Sequence, residues 1–192
     1  MHDDVVLVIV VGTALVFDFT NGFHDTANVV ATSISTHAMT PRVAVSLAAI
    51  LNFAGAFISI EVAATIASDV VDAAAITPTV IFAGLVGAIS WNLITWYFGL
   101  PSSSSHALIG GVVGAVIAAV GTSAVEGEGI LGKVLIPAVI APILAFVVGA
   151  IGIVVCYRVV GRLRPGHAGR GYRAGQVVSG GLLALALSLI HI

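Results

Sequence analysis

Asp18–Ser35 reads DFTNGFHDTANVVATSIS. It follows the apolar run from Val5 to Phe17 and carries Asp18, Asn21, His24, Asp25 and Asn28 at a depth where lipid should be. Ionisable groups inside a bilayer are expensive, so they face a cavity or a partner and have a function there. Asn21-Gly22 is a turn-type pair, which predicts that the helix entering the membrane breaks here. Unwound backbone at membrane depth survives only where it lines a cavity or is buried in protein. From Thr26 the pattern is helical again, and the spacing puts Asp25, Asn28 and Thr32 on one face. A carboxylate, an amide carbonyl and a hydroxyl on one face make a hard-oxygen site for a small cation or a proton, with Asp18 close by. Asp25 can equally cap the new helix by accepting from the free amides of its own turn. Capping accounts for neither Asn28 nor Asp18, and the two roles can coexist.

A second polar insertion, Gly99–His106 (GLPSSSSH), interrupts the apolar sequence further on. Pro101 stops one segment, and four serines precede a helix opened by His106 and Ala107. Serine is a favoured N-cap. A helix N-terminus with free N–H groups and partial positive charge suits an oxyanion without lysine or arginine. Arg42 is the one basic residue near either insertion in the sequence. Ser102 to Ser105 could also be a plain polar turn at the interface. Imidazole titrates near neutral pH, so His24 is a candidate for proton coupling and His106 for contact with the anion. Both could instead serve packing.

The composition agrees with a membrane setting. Of 192 residues, 59% are hydrophobic and 8% charged, against about 25% charged in soluble domains. The expected spans are Val5–Phe19, Val43–Ala67, Thr79–Phe98, Ala107–Val120 and Val134–Tyr157, with a sixth begun at Val177. The fold expected is therefore all-α, a polytopic membrane helix bundle with a discontinuous first helix and a polar hairpin insertion. Residues 1–157 form the repeat, 158–176 an Arg-rich loop, and 177–186 the start of the sixth span. Asp3 and Asp4 stand where a signal peptide would be basic, so the first segment reads as a span. Arg158, Arg162, Arg164, Arg170 and Arg173 crowd one loop, which the positive-inside rule makes cytoplasmic and which sets the N-terminus outside. Gly110 and Gly114, with Gly84, Gly87 and Ala88, have the small-residue spacing of close helix packing. Cys156 offers no disulfide framework. Asn52 and Glu61 lie mid-span and face either a cavity or a neighbouring helix. His2, His37 and His167 read as interface or loop residues.

NGFHDTANVVATSIST and WNLITWYFGLPSSSSHALIGG, in that order and spacing, resemble the first half of the PiT family of inorganic phosphate transporters, bacterial low-affinity type. The resemblance implies two inverted repeats with phosphate and its coupling ion bound between them. Position by position it assigns Ser103, Ser104, Ser105, His106 and Asn28 to phosphate. It assigns Asp25, Asn28, Thr32, Asp18 and His24 to the cation or proton. No metal cofactor is implied; the coupling ion is H+ or Na+, and a divalent cation can travel as a metal–phosphate complex. His24 stands where the sodium-coupled branch more often has Asn, which favours protons. The implied location is the plasma membrane, multi-pass. The implied partners are inorganic phosphate, the lipid bilayer and the C-terminal repeat of the same transporter, with a homodimer left open and no nucleic acid. The second repeat is absent, and Leu187–Ile192 (LSLIHI) resembles a translated sequencing adapter, so a truncated chain holding half a binding site is expected.

An enzyme is not expected. A Ser105–His106 nucleophile and base would be adjacent on one helix, where neighbours do not face each other, and no acid orients them. A channel needs a continuous polar lining, and only two local insertions exist. Sulfate is the nearest rival substrate, because helix-end amides hold either anion. Only a protonated phosphate can also donate to a carboxylate at neutral pH.

Overall fold

The computed structural model describes residues 2–57, 70–160 and 165–190. The helices are α1 (His2–Ser35), α2 (Pro41–Ala56), α3 (Pro78–Tyr97), α4 (Ser104–Val120), α5 (Gly127–Ile130), α6 (Ile136–Val160) and α7 (Pro165–Ile190). A π-helical segment, Leu131–Leu135, joins α5 to α6, so that Gly127–Val159 forms one long apolar element. The end of the expected span to Ala67, with Glu61, lies outside the described residues. An all-α membrane bundle results, with the hairpin Phe98–Ser103 as its polar insertion.

The first helix is not broken. α1 runs 34 residues without interruption, about 50 Å at 1.5 Å per residue, against a hydrocarbon layer of about 30 Å. Asn21 and Gly22 are helical. A glycine inside a helix costs about 1 kcal/mol, whereas freeing backbone donors and acceptors in lipid costs several kcal/mol per group. The ladder therefore continues through the turn-type pair. It ends at His37, in the left-handed region (φ 56°), where Ala38 N and Met39 N both donate to the Ser33 carbonyl.

Three packed layers hold the helices. Phe17, Leu85 and Ala88 join α1 to α3, with Ala107 and Leu108 of α4 against them. Val29, Val30, Ala44, Ala48 and Ala184 join the second half of α1 to α2 and α7. Leu187, where the adapter-like tail begins, packs on this second layer. Val70, Val71, Val80 and Val116 close the opposite end, where Val71 and Val125 form an isolated antiparallel bridge.

The closest helix crossing uses a different glycine from those expected. A Cβ built on Gly111 would lie 2.3 Å from the Gly84 carbonyl oxygen, while Gly110 and Gly114 meet nothing within 4 Å. Gly84 and Ala88 are at the crossing, as the spacing suggested. The segment expected as an Arg-rich loop is helical from Pro165 onward, since α7 starts there rather than at Val177. Proline is well suited to a first helical turn, and Thr36, just past the end of α1, hydrogen-bonds Gln176, tying the new stretch to the bundle. The long Gly127–Val159 element touches the third layer through Ile130 at its start, and none of its residues is fully buried by the rest of the described chain.

Candidate functional site

The hairpin between α3 and α4 is built by its own sequence. Leu100 N donates to the Thr95 carbonyl (2.8 Å) and Gly99 adopts φ 64°; that left-handed conformation is cheap for glycine alone. Pro101 prevents the helix from continuing. The serine run is then divided. Ser102 precedes the helix, Ser103 is the N-cap accepting from His106 N at 3.3 Å, and Ser104 and Ser105 form the first turn. α4 thus begins two residues earlier than the sequence pattern suggested, because a serine hydroxyl one residue before Ser104 is placed to satisfy the free amides.

The hairpin folds back on α1. Ser104 Oγ donates to Asp25 Oδ2 at 2.6 Å, and His24 Nδ1 lies 2.9 Å from Asp25 Oδ1. His24 Nε2 is 3.5 Å from Ser102 Oγ, which is 2.9 Å from Thr95 Oγ1. Ser104, Asp25, His24, Ser102 and Thr95 therefore form one connected line across α1, α3 and the hairpin. All but the half-buried Ser102 are buried. Phe23 packs edge-on against Trp96 (5.5 Å between ring centres) and seals the same α1–α3 contact.

The line has a direction. A carboxylate only accepts, so with Asp25 ionised His24 Nδ1 carries the proton and, in neutral imidazole, Nε2 accepts from Ser102. A proton added at Nε2 reverses that bond, and Ser102 must then donate to Thr95. Thr95 Oγ1 in turn lies 2.9 Å from the Trp91 carbonyl and 3.2 Å from that of Asn92.

The sequence-derived candidates divide into two groups. Asp25, His24 and Ser104 come together, with Ser105 half-buried beside them. Asp18, Asn28, Thr32, Ser103 and His106 are exposed. Asn28 and Thr32 do not share the surroundings of Asp25. At Asp25 helix α1 meets the hairpin and at Val29, Val30 and Ser33 it is buried, mainly by α2 and α7, which leaves Asn28 and Thr32 in the gap. Ser103 and His106 are engaged with each other, the His106 Nδ1–Ser103 Oγ distance being 2.8 Å.

Thr95 and Asn92 were not singled out from sequence. Their signal was available: two polar residues one turn apart inside an apolar span, placed just before the hairpin. Polar residues at that depth are functional candidates by default.

The sequence profile of the phosphate transporter family matches residues 21–186. A Mycobacterium tuberculosis protein named "Probable low-affinity inorganic phosphate transporter" is 57% identical over 180 residues, covering 94% of this chain and 43% of that protein. A Streptomyces halstedii protein of the same name is 54% identical over 147 residues, covering 76% of this chain and 67% of that protein. A solved structure titled "The sodium-dependent phosphate transporter" superposes with a TM-score of 0.76 at 23% identity, over 97% of this chain and 53% of that one. The chain spans less than half the length of the mycobacterial relative and about half of the solved structure.

Proposed function

The chain belongs to the phosphate transporter family, and from that premise we propose that it supplies one half of the binding site of a secondary phosphate transporter working by symport. The observation that carries the reading is the line Ser104–Asp25–His24–Ser102–Thr95 at the N-terminus of α4. Phosphate binds at that helix end through the first-turn amides and the hydroxyl of Ser105. The helix dipole contributes about half a positive charge, enough to favour an anion without a lysine or arginine. The proton enters at His24, whose Nδ1 contacts Asp25, and Ser102 passes the change on to Thr95. A phosphate carrying a divalent cation presents less net charge to Asp25, so a neutral metal–phosphate complex suits the same site.

The exposed residues fit this reading as the other wall. Asp18, Asn28, Thr32, Ser103 and His106 are polar positions at membrane depth and cannot face lipid cheaply. A second half of the transporter covers them and completes the anion and cation contacts. The Arg-rich segment from Arg158 to Arg173 then faces the cytoplasm and the N-terminus the outside, in the plasma membrane.

The test measures uptake of radiolabelled phosphate into proteoliposomes. The chain alone should show none, while a chimera joining residues 1–186 to the remaining part of the Mycobacterium tuberculosis relative should take up phosphate under an inward proton gradient. Asp25→Asn and His24→Gln should each abolish the gradient dependence. Clear uptake by the chain alone would refute the half-site reading. Uptake driven by sodium and indifferent to pH would move the assignment to a sodium-coupled permease. Uptake of sulfate in place of phosphate would replace the substrate.

A further inference from the structure

Asn92 lies on α3 one turn beyond Ala88 and one turn before Thr95. It is 1% exposed, and neither its Oδ1 nor its Nδ2 has a hydrogen-bond partner. Asn21 on α1 is 7% exposed, and its Oδ1 is likewise without a partner. The two residues stand at one level, because α1 and α3 run in the same direction. Phe17 packs with Leu85 and Ala88 on one side of that level. On the other side Phe23 meets Trp96, and His24 reaches Ser102, which bonds Thr95.

Buried polar atoms in folded proteins nearly always have partners. Three bare ones at one level, next to the polar line of the site, indicate a ligand whose chemistry can be read from what they lack. Two amide oxygens need donors, and one NH2 group needs an acceptor. A metal cation answers the oxygens and leaves the NH2. Sulfate at neutral pH offers acceptors only, so it answers the NH2 and leaves both oxygens. Monohydrogen phosphate has one P–OH and answers one oxygen; dihydrogen phosphate has P–O acceptors and two P–OH donors together, and it answers all three.

We propose that Asn92 and Asn21 recognise the protonated edge of phosphate and are the residues that select it over sulfate. The assignment rests on the reading of phosphate as substrate given above and adds the basis of its selectivity. Asn92 Nδ2 donates to a P–O oxygen of dihydrogen phosphate, while Asn92 Oδ1 and Asn21 Oδ1 each accept from one of its two P–OH groups. With sulfate bound, the two oxygens stay buried and unpaired, and a site built to pair a ligand hydroxyl strongly rejects analogues that lack it.

The experiment measures radiolabelled phosphate binding to the same chimera, residues 1–186 joined to the remaining part of the Mycobacterium tuberculosis relative, in lipid nanodiscs, with unlabelled sulfate as competitor. The wild type should bind saturably, with sulfate about a hundredfold or more weaker. Asn92→Leu should weaken phosphate about tenfold or more while changing sulfate far less, so that the ratio collapses. Asn92→Gln should restore part of it. Leucine can disturb the packing of α3, so the wild type labelled with 15N-asparagine gives a second readout. Its Asn92 side-chain NH2 signals should shift on adding phosphate and not on adding sulfate. Phosphate binding with an unchanged ratio in a folded Asn92→Leu, or Asn92 signals indifferent to phosphate, overturns this assignment alone and makes water the partner of the amides. Absence of phosphate binding to the wild type overturns the substrate reading and this one together.

Discussion

Gly110 and Gly111 are neighbours on α4, yet alanine should act on them in opposite ways. At Gly111 the new Cβ would sit 2.3 Å from the Gly84 carbonyl oxygen and 3.3 Å from Ala88 N, both backbone atoms that no rotamer change can move. Bringing the first contact even to 3.0 Å requires α3 and α4 to part by about 0.7 Å. Overpacking of this kind costs about 1–3 kcal/mol, and rigid backbone on both sides favours the upper end. At Gly110 the Cβ meets nothing within 4 Å. The gain in helix propensity, about 1 kcal/mol for either substitution, cancels in the comparison. Gly111→Ala should therefore be about 3 kcal/mol less stable than Gly110→Ala by the packing cost alone. The measurement is reversible unfolding in mixed micelles, followed by Trp91 and Trp96 fluorescence. The displacement also reaches the site, because α1 is packed on α3 while Ser104 belongs to α4. A 0.7 Å shift would stretch the Ser104–Asp25 bond from 2.6 Å to about 3.3 Å, beyond the usual O–H···O range. Gly111→Ala should thus lose phosphate affinity and Gly110→Ala should not. Equal stability and equal affinity for the two variants would refute the crossing geometry.

Ser104→Ala removes a buried donor to a carboxylate and should cost about 1.5–3 kcal/mol of stability; phosphate binding should fall with it, and a variant that binds as the wild type does would exclude Ser104 from the site. Replacing Val71 and Val125 by cysteine, with Cys156→Ala to remove the exposed native thiol, should allow a disulfide on mild oxidation, because bridged antiparallel residues lie within its Cα range of about 4.4–6.8 Å. A mass shift on reduction of the trapped species checks this. Thr36→Val breaks the hydrogen bond to Gln176 and should lower stability by about 1 kcal/mol without altering phosphate affinity, which places the α1–α7 junction outside the binding machinery.

What the sequence could and could not reveal follows from which interactions are local. The Asp25–Ser104 contact was within reach because each residue sits in a polar insertion that lipid cannot accommodate, so the two had to find each other or water. The continuity of α1 was not. Asn21-Gly22 is a turn signal in water, where freed backbone groups are solvated, and the signal loses its force where they are not. Spacing put Asn28 and Thr32 beside Asp25, but spacing specifies an angle around α1 and not which neighbour stands there. The crowded arginines of 158–173 suggested a loop, while the helix that forms from Pro165 is held by tertiary contacts such as Thr36–Gln176 that no local propensity contains. Gly111 was missed in favour of Gly110 and Gly114 for the same reason: the motif identifies a helix able to pack closely, and only the partner helix decides which face does so.

α1 is polar on two sides, and the two sides carry different kinds of chemistry. The buried side holds its carboxylate with internal partners, Ser104 and His24, so the charge of Asp25 is already accommodated before any ligand arrives. The exposed side presents Asn28 and Thr32, with Ser103 and His106 across the hairpin, groups that are neutral or weakly basic and tolerate either water or a ligand. A transporter must release what it binds, and on the reading proposed above this division serves that need. A lysine or arginine at the helix end would hold phosphate through a full charge, whereas a helix end offers about half of one. On the same reading, the affinity that remains is set by how completely hydroxyls and amides replace the water around phosphate. The hydroxyl of Ser102 joins His24 to Thr95, whose own bonds end on the backbone of Trp91 and Asn92, so the buried side of α1 is tied to the backbone of α3.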